Sequence, residues 1–173
     1  MVKVKVLADS ISEEKVRLVT IEAEYPRIIH CELLTHRMFS RNSASSRAIP
    51  FNKMCEQLVG IPSKFGSNKS GMQDGGNHTS KVQIIELAHN GRATISHISP
   101  ELAWGKALES SAYYAKAFSD AGYHKQVFNR LTEPFQMIKT VISSTEWSNF
   151  LWLRDDDAAD PTIRELAVKI KEA

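Results

Sequence analysis

Thr35-His36-Arg37-Met38-Phe39-Ser40-Arg41-Asn42-Ser43-Ala44-Ser45-Ser46-Arg47 packs three arginines, one histidine, one asparagine and four serines into thirteen residues. The run has neither the alternation of a half-buried strand nor the period of an amphipathic helix, so it reads as a loop. Guanidinium groups grip phosphate and carboxylate oxygens in bidentate fashion, and short hydroxyls fill the gaps between them. Such a loop suits a phosphorylated ligand, or two. A solvated basic loop is the plainer alternative, and composition alone leaves it open.

Upstream, Val2, Val4 and Val6 alternate with Lys3 and Lys5, which predicts a strand with one buried face. Residues 9–14 read as a turn into a short helix or loop, and residues 18–25 alternate again as a second strand. Pro26 suits the first turn of a helix whose apolar stripe is Ile28, Ile29, Leu33 and Leu34. The basic run therefore starts at a helix C-terminus.

Downstream, Pro50 starts a short helix through Leu58. Residues 59–79 form a polar segment punctuated by Gly60, Pro62, Gly66, Gly71, Gly75 and Gly76, which reads as a long surface loop. Residues 81–89 read as a helix, with no clear pattern from there to His97. Ser99-Pro100-Glu101 is a strong helix start, with a cap, a proline and an acid in order. That helix presents Leu102, Ala103, Ala107, Ala112, Ala115 and Phe118 on one face and ends near Gly122. A short helix over 124–131 is stopped by Pro134, and residues 137–143 read as a strand. A helix then runs to Arg154, and Asp160-Pro161 caps a last one that turns Leu166, Ala167 and Ile170 inward.

At 173 residues, 42% hydrophobic and 24% charged, the chain is an ordinary globular length and composition, and one domain over 1–173 is the expectation. A net charge of +2 does not by itself point to nucleic acid. No apolar run approaches the ~20 residues of a membrane span, and the N-terminus lacks a signal-peptide pattern. Cys31 and Cys55 make neither a disulfide framework nor metal spacing, so no metal is expected and the thiols are read as reduced, in the cytoplasm.

The spacing of His36, Arg37, Ser40, Asn42, Ser45 and Arg47 resembles the signature of the flavin-dependent thymidylate synthases, in a divergent form of the kind met in bacteriophage genomes. Thr35, Ser43 and Ala48 stand where that family commonly has Arg, Glu and Tyr, and Glu32 where many members have Gln. The resemblance continues in Asn129-Arg130-Leu131-Thr132-Glu133-Pro134, in residues 145–154 ending Leu153-Arg154, and in Ala159-Asp160-Pro161-Thr162-Ile163-Arg164. Residues 65–73 resemble a segment ending Gly-Met-Gln, and substrate contact is expected there. The chain stops soon after the last motif, so a C-terminal segment shorter than the family's is also expected.

The resemblance implies an α+β fold, a mixed or antiparallel sheet flanked by helices. It implies reductive methylation of dUMP to dTMP, with FAD as cofactor and NADPH and methylenetetrahydrofolate as co-substrates. Carried over position by position, His36, Arg37 and Asn149 contact the flavin, while Glu32, Ser45, Arg47, Arg130 and Arg154 hold the nucleotide. Arg154 and Ser45 are the catalytic candidates. An arginine near a pyrimidine carbonyl stabilises charge as the ring is attacked. The family also implies a homotetramer in which several subunits build each site.

The departures at Thr35, Ser43 and Glu32 leave a hydroxymethylating relative, or one acting on dCMP, as alternatives. Arg41 is a candidate to replace the guanidinium missing at Thr35. His30 reads as a packing or capping residue, and Cys31 lacks the basic neighbours of a thiolate nucleophile. A nucleic-acid-binding protein using Arg37, Arg41 and Arg47 is the reading from another class, and the small net charge and missing aromatic platform speak against it.

Overall fold

Alternation of apolar and polar residues builds the strands on which everything else rests. In chain order the elements are β1 (Lys3–Ile11), β2 (Arg17–Pro26), α1 (His30–Leu34), β3 (Ser40–Ser43), α2 (Phe51–Cys55), β4 (Val82–Leu87) and β5 (Ala93–Ile98). They are followed by α3 (Pro100–Asp120), α4 (Lys125–Phe128), β6 (Met137–Ser144), α5 (Ser148–Arg154) and α6 (Pro161–Glu172). Short 3₁₀ segments at Arg27–Ile29 and Asn129–Phe135 precede α1 and β6. The computed structural model describes residues 2–71, 73–87 and 91–173.

The main sheet has the order β1-β2-β6-β3, every pairing antiparallel, and β4 and β5 form a separate hairpin. Ile21, Ala23 and Tyr25 of β2 and Ile138, Thr140 and Ile142 of β6 point to one face and are buried. Ile29 and Leu33 near and in α1, Phe150 of α5, and Ile163, Leu166 and Ala167 of α6 cover that face. The fold is α+β, antiparallel sheets flanked by helices, as the sequence implied.

Trp104 helps to tie α3 to the rest of the fold. Trp104 donates its indole N–H to the Gly60 carbonyl at 2.9 Å and packs edge-on against Phe135, 5.3 Å between ring centres. Gly60 in turn donates its N–H to the Phe135 carbonyl at 2.7 Å. A Cβ on Gly60 would lie 2.7 Å from the Gln136 oxygen, so the backbone there approaches too closely for any other residue. Ser99 caps α3 by accepting from the Leu102 N–H, and Gly122 follows it at φ +82°, as its sequence signals require.

Several expectations are corrected. Within the helix expected over 81–89, Val82–Leu87 is instead a strand paired with Ala93–Ile98. The β-branched Val82, Ile84 and Ile85 prefer extended backbone once a second strand, itself rich in Thr94, Ile95 and Ile98, is available. The basic run is not loop throughout, since Ser40–Ser43 is an edge strand whose backbone completes the β6 ladder. β1 extends through Ile11, and only residues 12–16 turn. α2 ends at Cys55, short of Leu58. Pro134 does not stop a helix; it sits inside the 3₁₀ segment, which the tighter turn tolerates. The face of α3 proposed for close packing is fully buried only at Ala115 and half-buried at Ala103 and Ala112, while Leu102, Ala107 and Phe118 remain exposed. Met72, within the 65–73 segment, and Ala88 and His89, at the end of the expected helix, lie outside the described residues.

Candidate functional site

Arg154 ends α5, and two residues near the end of α1 receive it. Its Nε donates to His36 Nε2 at 3.0 Å, and its NH1 pairs with Glu32 Oε2 at 3.1 Å. Glu32 and His36 are four residues apart, on one side of the helical turn. Phe150, one turn before Arg154, sets the edge contact beneath, its ring 4.9 Å from the His36 ring at 83°. Phe39 and Trp147 extend the aromatic layer.

The electrostatics follow from this packing. Burial and the guanidinium groups of Arg154 and Arg41 lower the pKa of His36, so its ring is neutral. Since Arg154 donates to Nε2, the ring proton of neutral His36 resides on Nδ1. Burial and nearby Asp160 raise the pKa of Glu32, and Arg154 opposes them without winning.

Arg41 is committed elsewhere than at a ligand. Its NH1 donates to the carbonyls of Leu33 and His36, at 3.0 and 3.1 Å, closing the C-terminal end of α1. The turn after β3 is held from below. Buried Asn129 donates from Nδ2 to the carbonyls of Ser46 and Ile49, at 2.8 and 3.0 Å. Ser46 donates to Glu133 Oε1 at 2.7 Å, and Arg27 pairs with the same oxygen at 3.2 Å. Lys125 Nζ reaches the Ala48 carbonyl at 3.0 Å.

This scaffold leaves Ser45 and Arg47 exposed on the turn, Arg37 exposed beyond α1, Arg130 exposed on the second 3₁₀ segment, and Asn149 exposed on α5. Among the described residues, Arg37, Arg47 and Arg130 have no carboxylate or carbonyl partner, whereas Arg17, Arg27, Arg41, Arg154 and Arg164 all do. The structure thus brings Glu32, His36 and Arg154 into direct contact and leaves the other candidates as open donors.

Sequence reasoning passed over the residues that shape this region. Asn129 and Glu133 were visible only as part of a motif, not as anchors of the Arg47 turn. The spacing of Phe150 and Arg154, one helical turn apart, was the available signal for a shared partner. Cys31 and Cys55 are exposed free thiols, and burial nevertheless raises the pKa of Cys55. Among the described residues no group of three potential metal ligands occurs, and no helix is long and apolar enough to cross a membrane.

By sequence the chain matches no family model and no curated protein. Its structure is similar to that of a UMP/dUMP methylase PolB from Streptomyces cacaoi bound with 5-Br UMP, with a TM-score of 0.68 and 14% identity over 99% of this chain and 86% of that one. The same methylase bound with 5-Br dUMP gives a TM-score of 0.66 and 10% identity over 99% of this chain and 89% of that one. The chain shares the PolB fold. At such identity the likeness concerns architecture, and the chemistry rests on the side chains just described.

Proposed function

We propose that this chain is a flavin-dependent thymidylate synthase, methylating dUMP to dTMP with FAD, NADPH and methylenetetrahydrofolate. The observation that carries the reading is the joining of Arg154 to His36 and Glu32, because it unites the basic signature with a motif over a hundred residues away. The PolB fold supports a pyrimidine nucleotide as substrate, since that protein is a UMP/dUMP methylase.

The donor set fits both ligands. Arg37 and Asn149 are exposed, Arg37 without a partner among the described residues, and they would hold the flavin dinucleotide. Among the described residues His36 Nδ1–H has no protein partner either and is the group of that ring left to meet the cofactor. When bound, FAD reduced by NADPH would supply the reducing equivalents for passing a one-carbon unit to the nucleotide. Arg47 and Ser45 hold the monophosphate, and Arg130 adds a second guanidinium to the nucleotide. Arg154, oriented by Glu32 and His36, stabilises negative charge developing on a pyrimidine carbonyl oxygen.

A homotetramer belongs to the same proposal. Ile85, Leu87 and Ile95 on the β4–β5 hairpin and Leu102, Tyr113 and Tyr114 on α3 are exposed large apolar residues that packing between subunits would cover. Light scattering is expected to give four copies, and a stable monomer with full FAD affinity would break that part.

The decisive measurement is absorbance. Purified protein supplied with FAD should be yellow, and dUMP should perturb the flavin spectrum. A protein that takes up no FAD sinks the proposal.

A further inference from the structure

A line of hydroxyls runs through the sheet beneath α1 and ends inside the basic run. His30 Nδ1 lies 2.9 Å from the Tyr25 hydroxyl, the Tyr25 hydroxyl 2.9 Å from Thr140 Oγ1, and Thr140 Oγ1 2.9 Å from Ser43 Oγ. Tyr25 and Thr140 are fully buried, and Ser43 and His30 are half-buried at the two ends. Register explains the meeting: Ser43 of β3 and Tyr25 of β2 flank β6, with Ser43 directly opposite Thr140.

Each hydroxyl has one proton to give, and no other side-chain or backbone partner is available to Tyr25 or Thr140 among the described residues. Only two arrangements therefore satisfy the chain. If His30 Nδ1 carries a proton, it donates to Tyr25, Tyr25 to Thr140, and Thr140 to Ser43, so Ser43 directs its own O–H outward. If Nδ1 is bare, Tyr25 donates to it, Thr140 to Tyr25, and Ser43 to Thr140, so Ser43 offers only lone pairs outward. A phenol is a better donor to imidazole nitrogen than the reverse, which selects the second arrangement for neutral His30. Imidazolium compels the first. The switch needs only hydroxyl rotations; no covalent bond forms or breaks beyond transfer of a proton from hydronium to His30, which releases water.

We propose that Ser43 is a ligand-reading residue of the candidate site, and that the protonation of His30 sets whether it donates to the ligand or accepts from it. This rests on the reading that a nucleotide lies along residues 40–47. The phosphate and carbonyl oxygens of dUMP accept hydrogen bonds, so acidification through the His30 titration strengthens the Ser43 contact. The charged groups facing His30 are Arg27 on the preceding 3₁₀ segment, Arg41 on β3 and Glu133 on the second 3₁₀ segment. Burial and the two arginines lower the pKa of His30 while Glu133 raises it. Tyr25 stays protonated, its pKa pushed up to about 12 by burial.

The test follows the His30 ring by nitrogen NMR across pH in the full chain, alongside Ser43→Ala and Thr140→Val. Neutral His30 should show an unprotonated Nδ1. Ser43→Ala removes the last acceptor, so protonated His30 loses its satisfied arrangement and its titration midpoint should fall by about half a pH unit or more. Thr140→Val should act in the same direction, and the half-buried edge position of Ser43 keeps the experiment open if the Thr140 variant folds poorly. A neutral His30 protonated on Nδ1, or a midpoint unchanged in Ser43→Ala, overturns the proposal. A second arm titrates dUMP against wild type and Ser43→Ala on both sides of the His30 midpoint. The wild type should gain an increment of about three- to tenfold on acidification that the variant lacks; equal pH dependence in both overturns the reading role. If dUMP binds neither protein, the functional proposal falls, and the His30 titration still decides the hydroxyl chain.

Discussion

Arg154 Nε and His36 Nε2, 118 residues apart in sequence, meet at 3.0 Å with the arginine as donor. A protonated His36 would lose this bond and face two guanidinium groups, so the folded state selects the neutral ring. Because its folded pKa lies below the unfolded value near 6.5, its contribution to stability is complete above that pH and is lost as pH falls through the folded pKa. Arg154→Met removes one cation and should raise the His36 midpoint, read by proton NMR. An unchanged midpoint would show that burial and Arg41 set it without Arg154.

In the proposed arrangement Arg47 serves the nucleotide and Arg37 the flavin. Arg47→Ala removes a charge-assisted contact worth about 1.5–3 kcal/mol, which weakens dUMP by roughly one to two orders of magnitude. FAD affinity should change much less. Arg37→Ala should show the opposite pattern, and lysine at position 47 should rescue only partly, since an ammonium lacks the planar fork. Titrating both ligands against the variants checks this; equal losses of FAD and dUMP in each would refute the division.

Asn129 holds the Arg47 turn from inside. Asn129→Ala leaves the Ser46 and Ile49 carbonyls without their donor, at a cost of about 1–3 kcal/mol in denaturant unfolding. Asn129→Asp should cost more, because it sets a carboxylate against two carbonyl oxygens. Both variants should weaken dUMP although Asn129 is not expected to touch it. The buried Oδ1 has no partner among the described residues, so the amide contributes through its nitrogen alone.

Gly60 is the joint between the core and α3. Gly60→Ala forces a Cβ to within 3 Å of the Phe135 and Gln136 backbone and should destabilise by about 1–3 kcal/mol in thermal or denaturant melts. The loss of Trp104 fluorescence signature should accompany it, since the indole N–H bonds to the Gly60 carbonyl. A variant as stable as wild type would mean that the segment of residues 58–61 shifts without cost.

By itself the sequence determined the elements whose signals are local. Val2, Val4 and Val6, the alternation over 18–25 and that over 137–143 specified strands, because side chains alternate across a sheet whatever its partner. Ser99-Pro100 and Asp160-Pro161 specified helix starts, because a cap satisfies backbone N–H groups within its own turn. Only the tertiary structure decided that Ser40–Ser43 is a strand and that residues 82–87 are not a helix, since an edge strand exists only where another backbone offers its ladder. The same holds for the arginines. Arg41 and Arg47 look alike in sequence, yet Arg41 commits its donors to the end of α1, while Arg47 is exposed with no protein partner among the described residues. Which charge is paired depends on carboxylates and carbonyls that long-range packing brings within about 3 Å, and no spacing along the chain encodes that.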